Sequence, residues 1–587
     1  MYATICEIKF LLQPTMLSSI RRLFNLLTSR QKRDFYLLQI VMLSSSVAEL
    51  IGTISILPFM ALAGNPEIVH KYAVLRHLNL WLGEPSPELF LIYVGIVFTF
   101  FVILSNSLLF LSQLLMSRYS MRLGAEISSR LYRYYLSKDI LYHARTNSAR
   151  LIQNLMRESQ QISVGLIGPT LQLNARLFSI VMLTALVIYV DPRVALSALI
   201  LLSFVYLLIY RIVRSQVLKN SSMVSRYNRR RNRMLNESLT GVREVKLYSQ
   251  ESRFLTNYRE LTRSSTRGLA NNQALAEFPY YFVESIVFSG MVLLVLILSV
   301  GERDLAESLP TLTLFGLAGI KLVPKIQQSY RALVQIRAAQ APFEILFDDL
   351  KNSMVGLGPG DFTVQPIRVA ERFGVKDIGF SYPDAKKPLF RDFSISLDVG
   401  AFTAITGPSG VGKSTLLDIM MGLVKPDGGS IVVDGKAIHE SDLQAWRASV
   451  GYVTQDIYMA DSTPAENIAL GISLEEIDID RVRAVAKMAM IDDFISGLPQ
   501  GYFSPVAEGG RLFSGGQRQR IGFARALYRN VRILFLDEAT SALDQQTQEA
   551  ILRNIKASEQ FITVVMVTHR RETVELADRV VDLEQLC

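Results

Sequence analysis

The residues best suited to chemistry in this chain form a glycine-rich loop at positions 407–415, with the sequence GPSGVGKST. An apolar run at 402–405 precedes the loop and predicts a strand, and the run at 416–421 predicts a helix. Backbone N–H groups of such a loop face an oxyanion, and the helix N-terminus adds the positive end of its dipole. We therefore predict a phosphate-binding loop with the contact residues Gly407, Ser409, Gly410, Val411, Gly412, Lys413, Ser414 and Thr415.

Several polar residues in the same half of the chain suit the chemistry of a nucleotide phosphate. In this prediction Lys413 reaches the β- and γ-phosphates, and the Ser414 hydroxyl binds Mg²⁺. Asp537 ends an apolar run at 533–537 and completes the magnesium shell, while Glu538 polarises the attacking water. Gln455 follows another strand-like run and could reach either Mg²⁺ or that water.

Three further signals are weak when each is taken alone. His569 follows a buried-strand pattern and could contact the γ-phosphate, although a single histidine is more often structural. Tyr382 could stack on a purine, although exposed tyrosines are common. A short turn that opens a helix presents backbone N–H groups to an anion, and its residues are Ser514, Gly515, Gly516 and Gln517. The order and spacing of all these motifs together are far more specific.

The elements that position these residues belong to a chain of more than one domain, because it has 587 residues. Half of the residues are apolar and the mean hydropathy is +0.25, with the excess lying before about residue 340. The net charge of +9 comes largely from loops between apolar runs, so the positive-inside rule explains it better than nucleic-acid binding. The two cysteines stand at opposite ends and do not indicate a disulfide framework.

The first half of the chain contains apolar runs of the length that a membrane span needs. Two long segments, 116–168 and 215–278, are rich in arginine, whereas the loops on the other side carry few cations. This asymmetry predicts that both termini and both long segments are cytoplasmic. An amphipathic interfacial helix precedes the first span. The predicted spans are 36–60, 89–115, 170–190, 194–214, 280–300 and 308–330.

The long cytoplasmic segments consist mostly of helix-forming residues, so we expect the spans to continue as helices beyond the bilayer. Each segment has a turn-like centre, at 142–148 and 241–248, which is suited to docking on a cytoplasmic domain. Between the first two spans, Asn65 and Pro66 predict the start of an external helix. Its apolar stripe either packs on the spans alone or also contacts a lipid-borne substrate, and it consists of Ile68, Tyr72, Leu75, Leu78 and Leu82.

Charged residues inside the predicted spans are candidates for a substrate cavity. Lys321 and Lys325 are four residues apart and therefore share one face of the sixth span. Glu284 in the fifth span has a depth similar to that of Lys325, which predicts a structural ion pair between them. Lys321 has no such obvious partner and is the better candidate to line a cavity for an anionic substrate. Glu49 in the first span is a weaker candidate of the same kind.

The order of the nucleotide motifs resembles that of the nucleotide-binding domain of ATP-binding-cassette transporters, and six preceding spans resemble the exporter half-transporter. The expected fold is a membrane α-helical domain of six transmembrane helices fused to an α/β P-loop nucleotide-binding domain. The expected domains are a tail and interfacial helix at 1–34, the transmembrane domain at 35–340, a linker at 341–369 and the nucleotide-binding domain at 370–587.

The resemblance implies that two such domains bind two ATP molecules, with Mg²⁺, between them. The phosphate loop of one subunit then faces Ser514–Gln517 of the other, so a second copy is required, most simply as a homodimer. It also assigns Asp544 to the ATP site and Glu508 to a short loop that couples the domains. Two departures are Phe513, where the family usually has leucine, and Thr454, where it often has proline.

Within the exporters, the external helix, the segment around 147–155 and the basic residue before 322–324 resemble PglK-type lipid-linked oligosaccharide flippases. That resemblance implies ATP-driven flipping of a polyprenyl-diphosphate oligosaccharide across a bacterial cytoplasmic membrane. A lipid A-like glycolipid, a peptide or a drug is the alternative cargo. A non-transporting regulator gated by ATP is a further alternative, although an intact catalytic set argues against it.

Overall fold

The computed structural model describes residues 16–585, apart from 65–68, 70–72, 191, 301–304, 355–364, 384, 386, 507–509, 511, 540–541 and 558–561. The predictions for Asn65, Pro66 and Glu508 lie outside the described residues. The chain divides into two units. The first comprises the chain up to Ser137 together with Ser148–Leu357, and the second comprises Lys138–Asn147 together with the chain from Gly358.

The first unit is helical throughout its described length. Two wider π-helical turns, Asn154–Glu158 and Ser163–Ile167, interrupt the helix that leads into the third predicted span. In chain order, the helices up to residue 352 are α1 (Met16–Asn25), α2 (Ser29–Ile54), α3 (Ile56–Gly64), α4 (Ala73–Trp81), α5 (Pro87–Leu136), α6 (Ile140–Arg145, which belongs to the second unit), α7 (Ser148–Gln153), α8 (Ser159–Ile162), α9 (Gly168–Val190), α10 (Pro192–Thr240), α11 (Val242–Leu247), α12 (Glu251–Val300) and α13 (Leu305–Asn352).

Sequence signals at the helix starts explain where the long helices begin. Thr28 caps α2, and its side chain and that of Gln31 each accept a hydrogen bond from the other's backbone N–H. Pro87 occupies the first turn of α5, where its missing N–H has no intrahelical partner to lose. In the bundle, α2 packs on α5 and α9, α9 packs on α13, and α10 packs on α12. These contacts decide which span faces which.

Three helical stretches of the described chain are long and apolar enough to cross a membrane: Ser29–Gly64, Pro87–Leu136 and Arg150–Tyr189. They overlap the predicted spans 36–60, 89–115 and 170–190. The other predicted spans lie within α10, α12 and α13, where many side chains fall outside the described set. Helix α13 continues to Asn352, so the first part of the predicted linker at 341–369 is helical, and Phe343 and Leu346 are buried there.

The external segment between the first two spans packs on its neighbours in the described residues. Helix α4 covers Ala73–Trp81. Leu75 is buried, and Leu78 and Leu82 pack with it against Phe90 and Val94 of α5. This half of the predicted stripe therefore has a packing role, while Ile68 and Tyr72 lie outside the described residues.

The second unit contains two sheets that share one apolar core. A parallel sheet has the strand order β6-β7-β8-β3-β9, and an antiparallel sheet has the order β2-β1-β4-β5. The strands are β1 (Arg372–Phe380), β2 (Phe390–Asp398), β3 (Phe402–Thr406), β4 (Gly428–Val433), β5 (Lys436–Ala437), β6 (Val450–Val453), β7 (Ile533–Asp537), β8 (Thr563–Val567) and β9 (Arg579–Asp582).

Helices of the second unit connect and cover these strands. The carboxyl ends of β3, β6, β7 and β8 meet at one edge, because these strands run parallel and in register. Leu141 of α6 packs against the core formed by the two sheets, and docking by the 142–148 tip stays a prediction. The remaining helices are α14 (Lys413–Met420), α15 (Leu443–Ala448), α16 (Pro464–Ile468), α17 (Ile479–Met488), α18 (Asp492–Ser496), α19 (Gly515–Tyr528), α20 (Gln545–Lys556) and α21 (Arg571–Glu575).

Candidate functional site

The phosphate loop joins β3 to α14, as the sequence predicts. Three of its glycines have positive φ angles: +140° at Gly407, +85° at Gly410 and +105° at Gly412. A side chain at Gly412 would come within 3.0 Å of both Leu389 and Phe390. The loop therefore needs glycine at this position both for its backbone conformation and for its packing.

Lys413 lies inside the loop that it is predicted to serve. Its side chain is buried, and Nζ donates hydrogen bonds to the carbonyl oxygens of Gly407 and Pro408, both at 2.9 Å. Burial lowers the pKa of this ammonium group, and the nearby carboxylates of Glu538 and Asp537 act in the opposite direction. The two carbonyl contacts hold the charge where an incoming phosphate oxygen could replace them.

Tyr382 stands beside the same loop. Its hydroxyl is 2.8 Å from the Thr415 hydroxyl of α14, and its ring packs edge-on against Phe380. The residue is 41% exposed. The structure thus brings Tyr382 to the phosphate loop, and purine stacking stays a prediction.

Asp537 and Glu538 follow β7 at the edge where the parallel strands end. Burial raises the pKa of Asp537, and Glu538 adds to this effect, while the nearby Ser414 side chain and Lys413 oppose it. The two residues predicted to bind Mg²⁺ are therefore neighbours, and their magnesium role stays a prediction. Divalent cations bind such a hydroxyl and carboxylate pair when phosphate oxygens complete the shell.

Glu538 has a backbone conformation that is rare for a residue with a side chain. Its φ is +47°, and its N–H donates to the Val567 carbonyl at 3.2 Å. A left-handed conformation costs a non-glycine residue roughly 1–2 kcal/mol, so its presence here points to a functional constraint. His569 Nε2 lies 3.4 Å from Glu538 Oε1. Two residues far apart in sequence are therefore adjacent at the strand edge.

Gln455 lies two residues beyond β6, at the same edge of the sheet, and it is exposed. Its backbone carbonyl accepts a hydrogen bond from Gln519 at 3.4 Å. Within the described chain, no hydrogen bond joins its side chain to Ser414 or Asp537, so its predicted magnesium role stays a prediction. The neighbouring Thr454 hydroxyl donates to the Asp456 carbonyl and stabilises the turn.

The turn Ser514–Gln517 starts α19 with a reciprocal cap. Ser514 Oγ accepts from the Gln517 N–H at 3.3 Å, and Gln517 Oε1 accepts from the Ser514 N–H at 2.8 Å. A side chain at Gly516 would approach the Ala542 carbonyl oxygen to 3.0 Å, and one at Gly515 would approach the Ala542 side chain to 3.2 Å. The two glycines therefore let the chain after β7 lie against the start of α19.

Phe513, which precedes this turn, is buried in the helical core and packs edge-on against Phe494. The substitution of phenylalanine for the usual leucine is thus accommodated by packing. Asp544 caps a helix in the structure. Its carboxylate caps α20 by accepting from the backbone N–H of Thr547 at 2.9 Å and its hydroxyl at 2.8 Å. These bonds, led by that N–H, lower the pKa of Asp544, and an ATP contact stays a prediction.

Comparisons with known proteins agree with this architecture. A family profile described as "ABC transporter" matches residues 390–541, and one described as "ABC transporter transmembrane region" matches residues 78–318. The first contains the phosphate loop, the Ser514 turn and the β7 carboxylates, and the second contains most of the helical unit.

The chain belongs to the ABC transporters.

This transporter has relatives of several kinds. The ATP-dependent lipid A-core flippase of Cupriavidus pinatubonensis is 26% identical over 520 residues, which cover 86% of this chain and 84% of the relative. ABC transporter B family member 29, chloroplastic, of Arabidopsis thaliana is 35% identical over 266 residues, 45% of this chain and 42% of the relative. A bacterial Atm1-family ABC exporter solved with ATP bound has the same fold, with 22% identity, a TM-score of 0.70 and 95% and 93% coverage of the two chains.

The transporter is an exporter of the half-transporter type, and it couples ATP hydrolysis to transport. Its transmembrane region and its nucleotide-binding domain are present in one chain, as the sequence predicts. The relatives agree on the machinery more closely than on the cargo.

Two side chains of the nucleotide-binding domain were not predicted from the sequence, although they connect several motifs. Gln519 is buried in α19, donates to the Gln455 carbonyl and accepts from the Ala542 N–H at 3.1 Å. Arg570 follows His569 and donates to the Leu543 carbonyl at 3.4 Å. The available signal for Gln519 was a polar residue on the otherwise apolar, buried face of α19. Arg570 gave no signal beyond its position.

The membrane helices contain a buried polar group that we call the α2–α13 charge cluster, formed by Glu49, Thr53, Ser179, Lys321 and Lys325. Lys325 Nζ is 2.8 Å from Glu49 Oε2, and the Ser179 hydroxyl of α9 also donates to that carboxylate. Lys321 Nζ donates to the Thr53 hydroxyl at 3.0 Å.

The predicted ion pair between Glu284 and Lys325 is therefore wrong. Lys325 faces α2 and pairs with Glu49, while Glu284 accepts a hydrogen bond from Tyr280 on its own helix. Equal depth in the membrane did not imply contact, because the rotation of α13 points Lys325 at a different neighbour. Glu49, the weaker candidate, lies at the centre of the cluster and is only 3% exposed.

Proposed function

We propose that the transporter flips an anionic glycolipid from the cytoplasmic to the outer leaflet of a bacterial inner membrane. The observation that carries this proposal is the α2–α13 charge cluster. Ionisable groups inside membrane helices are expensive, and they commonly mark a substrate path. A phosphate-bearing lipid gives two lysines in this position a function, whereas a neutral drug does not.

The relatives support the same class of cargo. Relatives that span more than four fifths of this chain are named lipid A-core flippases, and lipid A-core is an anionic glycolipid. A polyprenyl-diphosphate oligosaccharide belongs to the same chemical class, with phosphates beside a sugar headgroup and long apolar tails. Both cargoes remain in the proposal, and a direct assay separates them.

ATP binding drives the cycle in this proposal. Lys413 exchanges its two loop carbonyls for β- and γ-phosphate oxygens, and the loop N–H groups hold the phosphates. Ser414 and Asp537 would hold Mg²⁺, which would supply positive charge against the charge that develops on the phosphates. Glu538 takes a proton from the attacking water, and His569, 3.4 Å away, orients the γ-phosphate. The Gln455 side chain, at the same edge of the sheet, reaches Mg²⁺ or the attacking water when the site closes.

A second copy of the chain completes the site. No hydrogen bond in the described part of the chain joins Ser514–Gln517 to the phosphate loop, so the turn is available to a partner's nucleotide. The tip at 241–248 also exposes apolar side chains, since Val242, Leu247 and Tyr248 are 49%, 74% and 68% exposed. An isologous dimer would cover such a surface. The excess of cations in the long segments supports a cytoplasmic position for the nucleotide-binding domain and both termini.

The test is ATPase activity of the purified protein in lipid, with lipid A, with a polyprenyl-diphosphate oligosaccharide, or with neither. We expect at least one of the two to stimulate turnover several-fold, with no stimulation in Glu538→Gln. Lys321→Ala is expected to reduce leaflet translocation of the stimulating lipid in proteoliposomes, and Lys425→Ala is the control, because Lys425 is an exposed lysine that pairs with Glu440 at the surface of the nucleotide-binding domain. Basal turnover without stimulation by either lipid would refute the proposed cargo class.

A further inference from the structure

The α2–α13 charge cluster contains two hydrogen-bonded side-chain pairs, each of which joins α2 to α13. Glu49 and Thr53 lie one turn apart on α2, and Lys325 and Lys321 lie one turn apart on α13. The first pair is Glu49 with Lys325, and the second pair is Thr53 with Lys321. The first pair therefore joins opposite charges, whereas the second joins a positive charge to a neutral hydroxyl.

The cluster contains two ammonium groups and one carboxylate, so it carries one unmatched positive charge. Within the described chain, the charged groups that act on Lys321 are Glu49 and Lys325. Glu49 is already engaged by Lys325 and by the Ser179 hydroxyl, which leaves Lys321 with Thr53 alone as its hydrogen-bonding partner in the described residues. A half-buried cation without a counter-ion is energetically unfavourable in a membrane domain unless an anion binds to it.

A second polar group beside the cluster lacks a partner. Ser105 of α5 is 3% exposed, and its hydroxyl makes no hydrogen bond within the described residues. It contacts α2 at Gly52, where an added Cβ would lie 3.5 Å from the Ser105 hydroxyl. Gly52 lies between Glu49 and Thr53 on the buried face of α2. A hydroxyl group without a hydrogen-bond partner among the described residues therefore lies against α2, between the two α2 positions that belong to the cluster.

We propose that the α2–α13 charge cluster binds one negatively charged phosphate group, with Lys321 as the receiving cation and Glu49 as a built-in counter-ion that neutralises Lys325. This binding site would recognise the phosphate of the cargo in the proposed function, and it rests on that function only in the assumption that the phosphate belongs to a lipid. A free phosphate offers the same chemistry, so the test includes both sources.

The proposal makes the charge of the cluster the determinant of anion affinity. Lys321→Met removes the receiving cation and brings the net charge to zero. Thr53→Asp also brings it to zero but keeps both lysines, because it supplies Lys321 with an internal carboxylate. Glu49→Gln raises the net charge by one and frees Lys325. Thr53→Ser keeps the hydroxyl and the charge, so it is the conservative variant.

The experiment measures binding as a ligand-induced rise in melting temperature of the full-length protein in detergent, with ADP and Mg²⁺ present to occupy the phosphate loop. The probe is dioctanoyl phosphatidic acid, dioctanoylglycerol is the neutral control, and inorganic phosphate is the free anion. Glu344→Gln is the matched control variant, because it removes a carboxylate from the exposed ion pair with Arg22. Size-exclusion chromatography checks that each variant is folded.

We expect the apparent Kd for phosphatidic acid to rise about tenfold in Lys321→Met and in Thr53→Asp, which is the usual value of one charged hydrogen bond. It should fall several-fold in Glu49→Gln and stay within about twofold in Thr53→Ser and Glu344→Gln. Wild-type affinity in Thr53→Asp would overturn the proposal, because the lysines would then act through packing and not through charge. Equal stabilisation by dioctanoylglycerol would overturn it as well.

The two sources of phosphate give different results, and both support an anion site. Stabilisation by phosphatidic acid alone assigns the site to a lipid headgroup, and equal stabilisation by inorganic phosphate assigns it to a free anion. If neither glycolipid stimulates ATP turnover but the variants follow the expected order, the proposed function fails and the anion site stands. If a glycolipid stimulates turnover and the variants bind phosphatidic acid equally, the proposed function stands and the anion site fails.

Discussion

Gln519 offers the sharpest test of how the nucleotide motifs are connected. Its side-chain amide is 3% exposed and joins the Gln455 carbonyl to the Ala542 N–H, so one residue spans two loops that flank the site. Gln519→Leu removes these two hydrogen bonds with little change in volume. Gln519→Glu keeps an acceptor for the Ala542 N–H, loses the donor and places a buried carboxylate oxygen against the Gln455 carbonyl. We expect both variants to hydrolyse ATP more slowly than the wild type.

The expected magnitude follows from the two contacts. Leaving a buried backbone group without its hydrogen bond costs about 1–3 kcal/mol. Ala542 is exposed, so water satisfies part of the freed N–H, and the lower end of about 1–1.5 kcal/mol applies. The 3.4 Å bond to Gln455 is too long to add much. If both loops must be held in the transition state, kcat falls about five- to twelvefold.

The assay is steady-state ATP turnover of the full-length protein in lipid, with kcat and KM measured separately. KM should stay within about twofold of wild type, because Gln519 does not contact the phosphate loop in the described structure. Gln545→Leu is the control, since among the described residues that side chain bonds only Glu549, at the surface. A kcat within twofold of wild type in Gln519→Leu would refute the reasoning.

The remaining predictions concern the phosphate loop and its acids. Glu538→Gln should bind ATP and lose turnover by at least about a hundredfold, because the proton acceptor is removed. Gly412→Ala should raise KM for ATP about tenfold, because alanine at φ +105° is strained and its Cβ crowds Phe390. Burial, aided by Asp537, raises the pKa of Asp418 to about 6. Asp418→Asn should therefore raise the melting temperature of the nucleotide-free protein above pH 6 and leave it unchanged near pH 4.

Each of these predictions has a result that contradicts it. Wild-type turnover in Glu538→Gln would remove its role as the base. For the glycine, Gly435→Ala is the matched control, because it has φ +77° with no atom within 4 Å of the added Cβ. An equal change in KM there would exclude a specific effect. For Asp418, the folded state binds the proton more tightly, so ionisation destabilises it as pH rises from about 4 to 6. A constant difference across that range would contradict the assignment.

The wrong ion-pair prediction has a physical origin. Depth along a helix is readable from sequence because the rise per residue is fixed, and Glu284 and Lys325 were matched on depth alone. Contact also requires the rotation of each helix and the identity of its neighbour, and packing sets both. Here packing turns Lys325 towards Glu49 of α2.

The phosphate-binding unit is readable from the sequence because its parts are contiguous. A strand, a glycine loop and a helix follow one another in residues 402–421, so local sequence specifies the loop and its chemistry. Which distant groups meet depends on tertiary packing. Parallel strands bring His569 to Glu538, and the buried face of α19 brings Gln519 to two loops. The packing of α2 against α13 gives Lys325 its counter-ion, while Lys321 has no ion-pair partner among the described residues. Such contacts depend on the burial of apolar faces that many alternative neighbours could satisfy, and only the folded chain selects among them.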